Sequence, residues 1–109
     1  MRNRLDKKIS IWDNNVEFIN EVNEKDYRPG LIKSIWSEII PQTGSLQKQQ
    51  ANTILSNVTH KIKVRYASGK EITQDMWFIF KGHRFDIKYI LNPFFSNEFL
   101  EIFCEEVIE

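Results

Sequence analysis

The segment of residues 57–66, NVTHKIKVRY, alternates between two kinds of side chain. Every second residue is apolar or carries a ring: Val58, His60, Ile62, Val64 and Tyr66. The opposite phase carries three cations: Lys61, Lys63 and Arg65. Because successive side chains of a strand point to opposite faces, this pattern predicts a strand from about Ile54 to Tyr66. Its cationic face is either a nucleic-acid-binding surface or the solvated side of an ordinary sheet.

The overall charge favours the solvated side. The chain has 109 residues, with 15 Lys and Arg against 15 Asp and Glu, so its formal charge is zero. A protein that binds nucleic acid on its own usually carries a basic excess. The length fits a single domain over residues 1–109, which can bury one core without disulfides.

Charge is unevenly distributed between the two ends of the chain. The start is basic, and no Lys or Arg follows Lys88, whereas five glutamates do. The favoured interpretation is that the termini lie on neighbouring strands and pair with little net energy. The alternative is that the basic end of one subunit meets the acidic end of the next.

Further strands follow from the apolar pattern. Residues 8–12 alternate and predict a first strand, whereas the continuous apolar run of residues 76–80 predicts a buried one. Residues 85–91 alternate again. Lys81 to Arg84 predict a tight hairpin turn, with Gly82 at the first central position.

Two segments stay open between helix and strand on periodicity alone. These are residues 31–40, which Pro41 ends, and residues 98–107. Residues 42–53 favour a short helix with Ser45 as N-cap. Residues 13–30 are polar and predict a long excursion with room for a hairpin around residues 16–22.

The count is five or six short strands, long loops and one small helix, which predicts a compact antiparallel sheet or barrel.

Residues with catalytic or metal-binding potential are sparse. His60, His83 and Cys104 show no paired zinc spacing. Cys104 alternates with apolar neighbours and is predicted to be a small buried hydrophobe. No glycine-rich phosphate loop is present. The sequence therefore predicts neither a metal site nor a catalytic one.

Three tryptophans lie within apolar runs: Trp12, Trp36 and Trp77. Core packing is the first interpretation. An exposed aromatic platform for single-stranded nucleic acid is the alternative, with Trp77 as the best candidate.

Taken in order, five segments resemble the phage head-tail joining proteins, also called head-closure or head-tail adaptor proteins. They read RLDKKISIW, IWSEIIPQTGSLQKQQAN, VTHKIKVRY, DMWFIFKGHRFDIKYILNP and LEIFCEE. The resemblance rests on their order and spacing over nearly the whole chain. One departure lies in the helix segment, where Ser45 to Lys48 replace the acidic and aromatic residues usual after the glycine.

The resemblance implies a mainly β fold: a small antiparallel barrel or sandwich of about six strands, with one short helix and long loops. It makes residues 31–40 and 98–107 strands, residues 13–30 a long variable loop and residues 42–56 a helix or loop segment. It implies a structural protein with no enzymatic activity and no cofactor.

The resemblance also implies a place in the virion. Several copies, twelve in the family, would form a ring under the portal or its adaptor protein, close the DNA-filled head and offer a docking surface to a tail completion protein. Assembly would take place in the host bacterial cytoplasm, with non-specific contact with DNA in the channel and no membrane partner.

Two sets of residues are expected to form partner or ring interfaces. The cations Lys61, Lys63 and Arg65 are expected to face the acidic C-terminal strand of a neighbour, with Glu105 and Glu106, or the DNA channel. The polar stretch is expected to touch the portal side or the channel: Gly44, Ser45, Leu46, Gln47, Lys48, Gln49 and Gln50. Such loops often order on binding.

Two other functions stay open. A tail-completion or tail-terminator protein is also small, β-rich and ring-forming. A small nucleic-acid-binding barrel would bind single strands in a salt-sensitive manner, but zero net charge argues against it.

Overall fold

Alternating apolar side chains place six strands around one core in the computed structural model, which describes residues 5–42 and 57–108. The strands are β1 (Lys7–Ile19), β2 (Lys25–Pro41), β3 (His60–Arg65), β4 (Trp77–Phe80), β5 (His83–Leu91) and β6 (Phe99–Val107). All neighbours are antiparallel, and the sheet closes as β1-β2-β3-β6-β5-β4. One short helix, α1 (Tyr66–Gly69), and a 3-10 turn (Pro93–Phe95) lie between strands. The predicted mainly β barrel is confirmed.

The barrel interior is filled by one face of each strand. Its buried members are Ile9, Ile11, Ile35, Ile62, Val64, Phe78, Phe85, Ile87, Leu100, Ile102 and Cys104. Cys104 is fully buried, as predicted, and this burial raises the pKa of its thiol. The buried Ser37 hydroxyl donates a hydrogen bond to the carbonyl of Lys7 over 2.8 Å. The interior is therefore a packed core.

Both segments that periodicity left open are strands. Residues 31–40 lie in β2, where Ile35 and Ser37 point into the barrel and Trp36 points out. Residues 98–107 contain β6, in which Leu100, Ile102 and Cys104 are buried. The helical spacing is overridden because a partner strand lies on each side of both strands within the barrel.

The hairpin for which the sequence left room around residues 16–22 is present, whereas the long variable loop expected over residues 13–30 is not. Beyond the barrel, β1 and β2 continue to pair as far as Ile19 opposite Lys25, so this segment is a two-stranded hairpin, here called the arm. The side-chain oxygen of Asn20 closes its tip by accepting the N–H groups of Val22 and Glu24, each over 3.0 Å. The molecule is consequently elongated, with extents of 53 × 30 × 26 Å.

Two boundaries also differ from the expectation. The β4–β5 turn has Lys81 and Gly82 as its central residues, with φ of 50° and 81°, so the glycine takes the second central position rather than the first. Two positive φ values define the type I′ turn that matches strand twist. Residues 54–56 of the strand expected from about Ile54 lie outside the described residues. Within the described part, residues 57–59 are not in a strand, β3 begins at His60, and Tyr66 already starts α1.

Strand direction divides the connections between the two ends of the barrel. The arm, the α1 segment (residues 66–76) and the β5–β6 loop (residues 92–98) leave from one end, here called the arm end. The Lys81–Gly82 turn lies at the opposite end, here called the termini end, where β2 ends, β3 begins and the described part of the chain starts and stops.

The prediction that the two termini lie on neighbouring strands is wrong. β1 pairs with β2 and β4, whereas β6 lies between β3 and β5. The carboxylates of β6 instead pair with side chains of those neighbouring strands: Lys61–Glu101 at 3.7 Å, Lys88–Glu105 at 3.2 Å and His83–Glu106 at 2.8 Å. The acidic C-terminal strand is thus largely matched within its own subunit.

Candidate interaction surfaces

Exposed apolar side chains concentrate at the arm end. Of the ten large apolar residues exposed in the described part of the chain, seven lie there: Ile19, Val22, Tyr27, Leu31, Ile32, Phe94 and Phe95. Isolated exposed apolar residues are ordinary, but a group at one end of a small domain marks a contact surface. The arm end is therefore the leading candidate for protein binding.

The arm has no cover on either face or edge within the described chain. Pairing of β1 with β4 stops at Trp12, and pairing of β2 with β3 begins only at Ser37. One arm face carries Ile19 and Tyr27, both exposed, while Phe18 on the other face is covered only by the guanidinium of Arg28 at 4.2 Å. An isolated two-stranded ribbon is marginally stable in water. A partner that covers the arm would therefore increase the stability of the arm.

The β5–β6 loop presents two adjacent phenylalanines to solvent. Phe94 is 96% exposed and Phe95 is 89% exposed. Both have left-handed backbones, with φ of 57° and 51°. The left-handed conformation costs a non-glycine residue roughly 1–2 kcal/mol, and each unburied ring forgoes about 2 kcal/mol of burial free energy. The loop therefore bears two free-energy costs, and nothing in the described chain covers its two rings.

Hydrogen bonds hold this loop in its strained shape. The Asn92 side chain donates to the Asn97 side chain over 2.7 Å and accepts the Asn97 N–H over 3.2 Å. The N–H of Phe95 donates to the carbonyl of Asn92 over 3.0 Å. Backbone strain that the surroundings maintain is characteristic of binding sites. We refer to Phe94 and Phe95 in this setting as the phenylalanine knob.

The predicted cation row lies on the outer wall of the barrel and reaches the arm end. Lys61 bridges Glu101. Lys63 stands 4.7 Å from the ring centroid of Phe99, and Arg65 stands 5.6 Å from it. A shallow groove runs beside the knob, with Lys63, Phe94 and Phe99 in its lining. Two of the three cations thus border the exposed apolar surface.

The other predicted interface residues lie at or near the termini end. Glu105 faces Lys88, and Glu106 faces His83. The backbone N–H of Glu106 also donates to the Thr59 hydroxyl over 2.7 Å. The structure does not bring these glutamates next to Lys63 and Arg65. The predicted stretch from Gly44 to Gln50, and the predicted helix of residues 42–53 apart from Gln42, lie outside the described residues.

His60 occupies the border between the core and the termini end. Its ring packs edge-on against Phe85 with centroids 5.0 Å apart, and its Nδ1 lies 2.9 Å from the Thr59 hydroxyl. Burial lowers the pKa of His60, and nearby Glu106 partly counters this effect. His60 is thus held by ring packing and a hydrogen bond.

Core packing, the first interpretation for the tryptophans, is confirmed for Trp77 and wrong for Trp36. Trp77 is only 7% exposed because it stacks with Trp12 and lies under the guanidinium of Arg84, which is 4.3 Å from its ring centroid. Trp36 is 55% exposed, with the Lys8 ammonium 5.7 Å from its ring centroid. Trp36 is thus the most exposed of the three tryptophans.

Within residues 5–42 and 57–108, no three His, Cys, Asp or Glu side chains come together as a metal site would require. The same residues hold no helix with the length and apolar character needed to cross a membrane.

The sequence profile of the phage head completion protein family matches residues 1–107. That family comprises non-enzymatic structural proteins of the virion. A search of curated protein sequences found no significant relative.

Two solved structures share the fold. The solution structure of protein SF1141 from Shigella flexneri 2a superposes with a TM-score of 0.70 at 19% identity, covering 98% of this chain and 96% of that chain. A chain from the virion of a native gene transfer agent particle superposes with a TM-score of 0.61 at 17% identity, covering 99% of this chain and 100% of that chain.

Proposed function

Because the chain belongs to the phage head completion protein family, we propose that several copies assemble as a ring at the portal vertex, close the DNA-filled head and connect it to the tail. Twelve copies would match the portal. The partners are a portal or adaptor protein on the head side and a tail completion protein on the tail side, with DNA in the channel.

The observation that carries this proposal is the difference between the two ends of the barrel. A protein that joins two structures needs two separate binding surfaces on a rigid body. The closed barrel is such a body: the α1 segment lies at one end, and β2 ends and β3 begins at the other, while the arm and the knob project beyond the barrel, where neighbouring subunits of a ring can reach them. In this proposal residues 44–50 contact the head side or the channel, and the outer cations contact a neighbouring subunit.

In this proposal the cations on the outer face of β3 serve contacts between subunits rather than nucleic-acid binding. Lys61 is matched by Glu101 inside the subunit, and the formal charge of the chain is zero. A ring would repeat Lys63 and Arg65 around its circumference, which makes them suited to hold an acidic surface of the next subunit. Sealing a pressurised head requires such contacts between subunits.

The test is electron microscopy of a lysate from the parent phage with this gene interrupted. Heads and finished tails lying apart, with DNA leaking from the heads, are expected. Stable filled heads beside malformed or over-long tails would move the protein to the tail side. Infectious intact particles would overturn the proposal.

A further inference from the structure

We propose that the phenylalanine knob of one subunit binds the arm of the next subunit, so that the ring is held by a contact between two unlike surfaces. This inference rests on the proposed ring. It assigns a partner to the two features of the described chain that are most exposed and least supported, the knob and the arm.

The knob and the arm need partners of different shapes. The knob is a short convex loop with two exposed rings, and the arm is a ribbon with uncovered faces and edges. Two unlike surfaces on one chain produce head-to-tail association, which closes into a ring when the rotation permits.

The positions of the knob and the arm allow them to meet between neighbouring subunits of a ring. The knob and the arm both leave the arm end of the barrel. In a ring, rotation about the ring axis keeps equivalent features at the same height, so an arm that points sideways meets the arm end of its neighbour. The molecule is 53 Å long and 30 Å or less across. The arm therefore projects far enough to lie along much of an adjacent barrel.

The arm also carries a net negative charge that cations on the barrel wall can attract. Residues 13–30 contain five carboxylates and only two cations, Lys25 and Arg28. The barrel wall beside the knob carries Lys63 and Arg65, which flank the ring of Phe99, and the groove next to them is also lined by Glu98 and Glu101. An acidic arm would therefore lie against the side of the Phe99 ring that carries Lys63 and Arg65, away from these two carboxylates. Complementary charge of this kind selects the register and the partner of a contact.

Cross-linking within assembled particles tests the contact. Cys104 is fully buried and does not compete with introduced cysteines. Val22→Cys at the arm tip and Glu98→Cys beside the knob both replace exposed side chains. With a short bis-maleimide, particles carrying both substitutions are expected to yield a ladder of dimers, trimers and higher species on a denaturing gel.

The matched control moves one cysteine to the other end of the barrel. Val22→Cys with Asn57→Cys, which is also exposed, is expected to stay monomeric under the same treatment. Absence of a ladder for the first pair in infectious particles would overturn the inference. Dimers from Val22→Cys alone would also overturn it, because they would place two arm tips together.

A photo-cross-linker provides a second measurement that keeps the aromatic ring. Benzoylphenylalanine in place of Phe95, activated in particles, is expected to give a dimer whose linked peptide contains residues 14–29. A link to a different virion protein would assign the knob to that protein and overturn the inference. Gene interruption tests the proposed function separately, so heads and tails lying apart without arm–knob links would reject this inference alone.

Discussion

The two ends of the barrel are built from the same chain but satisfy their side chains differently. At the termini end, Glu105 pairs with Lys88, Glu106 lies 2.8 Å from the His83 ring, and the Thr59 hydroxyl accepts a backbone N–H. At the arm end, two phenylalanines are almost fully exposed and a ribbon extends without cover. This contrast indicates that the arm end is a surface completed by another molecule, whereas the described termini end is largely self-satisfied.

Removing the arm gives the sharpest test of this comparison. Replacing residues 14–29 by Asn-Gly would join β1 to β2 directly at the barrel rim. The barrel core contains none of the removed residues, so the melting temperature is expected to change little. Loss of a dominant contact is expected to reduce plaque formation in a complementation assay on the order of a hundredfold or more.

The control for this deletion alters the opposite end. Replacing Lys81 by Asn gives the Asn-Gly pair that a type I′ turn favours, and plaque numbers are expected to stay at the wild-type level. If the arm deletion complements as well as this turn variant does, the arm end has no special role in assembly.

Glycine in place of both knob residues separates stability from assembly. Phe94→Gly with Phe95→Gly removes two exposed rings and relieves two left-handed backbones, so the free energy of unfolding is expected to stay the same or rise by about 1 kcal/mol. Assembly is expected to fall by on the order of tenfold to a hundredfold, since two central aromatic contacts are lost. Urea unfolding and particle yield measure the two effects.

A matched glycine variant comes from the turn at the other end. Lys81→Gly relieves a positive φ of 50° without removing an exposed aromatic. It is expected to leave particle yield unchanged. A knob variant that assembles normally would show that the exposed phenylalanines are not a contact.

Charge reversal on the wall beside the knob is expected to have a smaller effect. Lys63→Glu with Arg65→Glu places two carboxylates where the proposed contact needs cations, and rim charges of this kind change association by about tenfold. Both side chains are on the outer face, so thermal unfolding should change much less than particle yield. Normal assembly of the double variant would refute the contact with a neighbour.

The control reverses two cations at the termini end, Lys7→Glu with Lys81→Glu. Because neither lies near the knob, particle yield should stay close to that of the wild type. Equal losses from both pairs would mean that assembly responds to overall charge rather than to the arm end.

The sequence predicted the buried core of this molecule better than its exposed surface. Alternation in residues 57–66 correctly identified Ile62 and Val64 as buried, because period-two burial is written directly in the residue order. It could not distinguish helix from strand over residues 31–40, where apolar spacing fits both and only the partner strands decide. The resemblance to a known family supplied that missing tertiary information.

The candidate surface was largely missed because exposure is a tertiary property. Nothing in the order of residues shows that Phe94 and Phe95 point outward. The polar composition of residues 13–30 left room for a hairpin around residues 16–22, but the pairing of β1 with β2 and the closure of the tip by Asn20 are visible only in the structure. Trp36 is exposed against the expectation of core packing, whereas Trp12 and Arg84 cover Trp77.

The smallest expected effect is a pH dependence of the free energy of unfolding that arises from His60 at the termini end. Burial lowers the pKa of His60 below the ordinary value of 6.5. Just below pH 6.5 the unfolded chain therefore binds more protons than the folded chain, and stability rises with pH in that window. The contribution of neutral His60 is complete above pH 6.5 and is lost as pH falls through the lower folded pKa.

Urea unfolding at several pH values between neutral and mildly acidic measures this effect. His60→Gln keeps a polar side chain beside Thr59 but does not titrate, so its stability should fall less with decreasing pH than that of the wild type. The difference between the two slopes isolates His60 from the groups that approach it, which include Glu106 and His83. Identical slopes would mean that the histidine is solvated in the folded state, and the termini end would then be less well packed than its hydrogen bonds indicate.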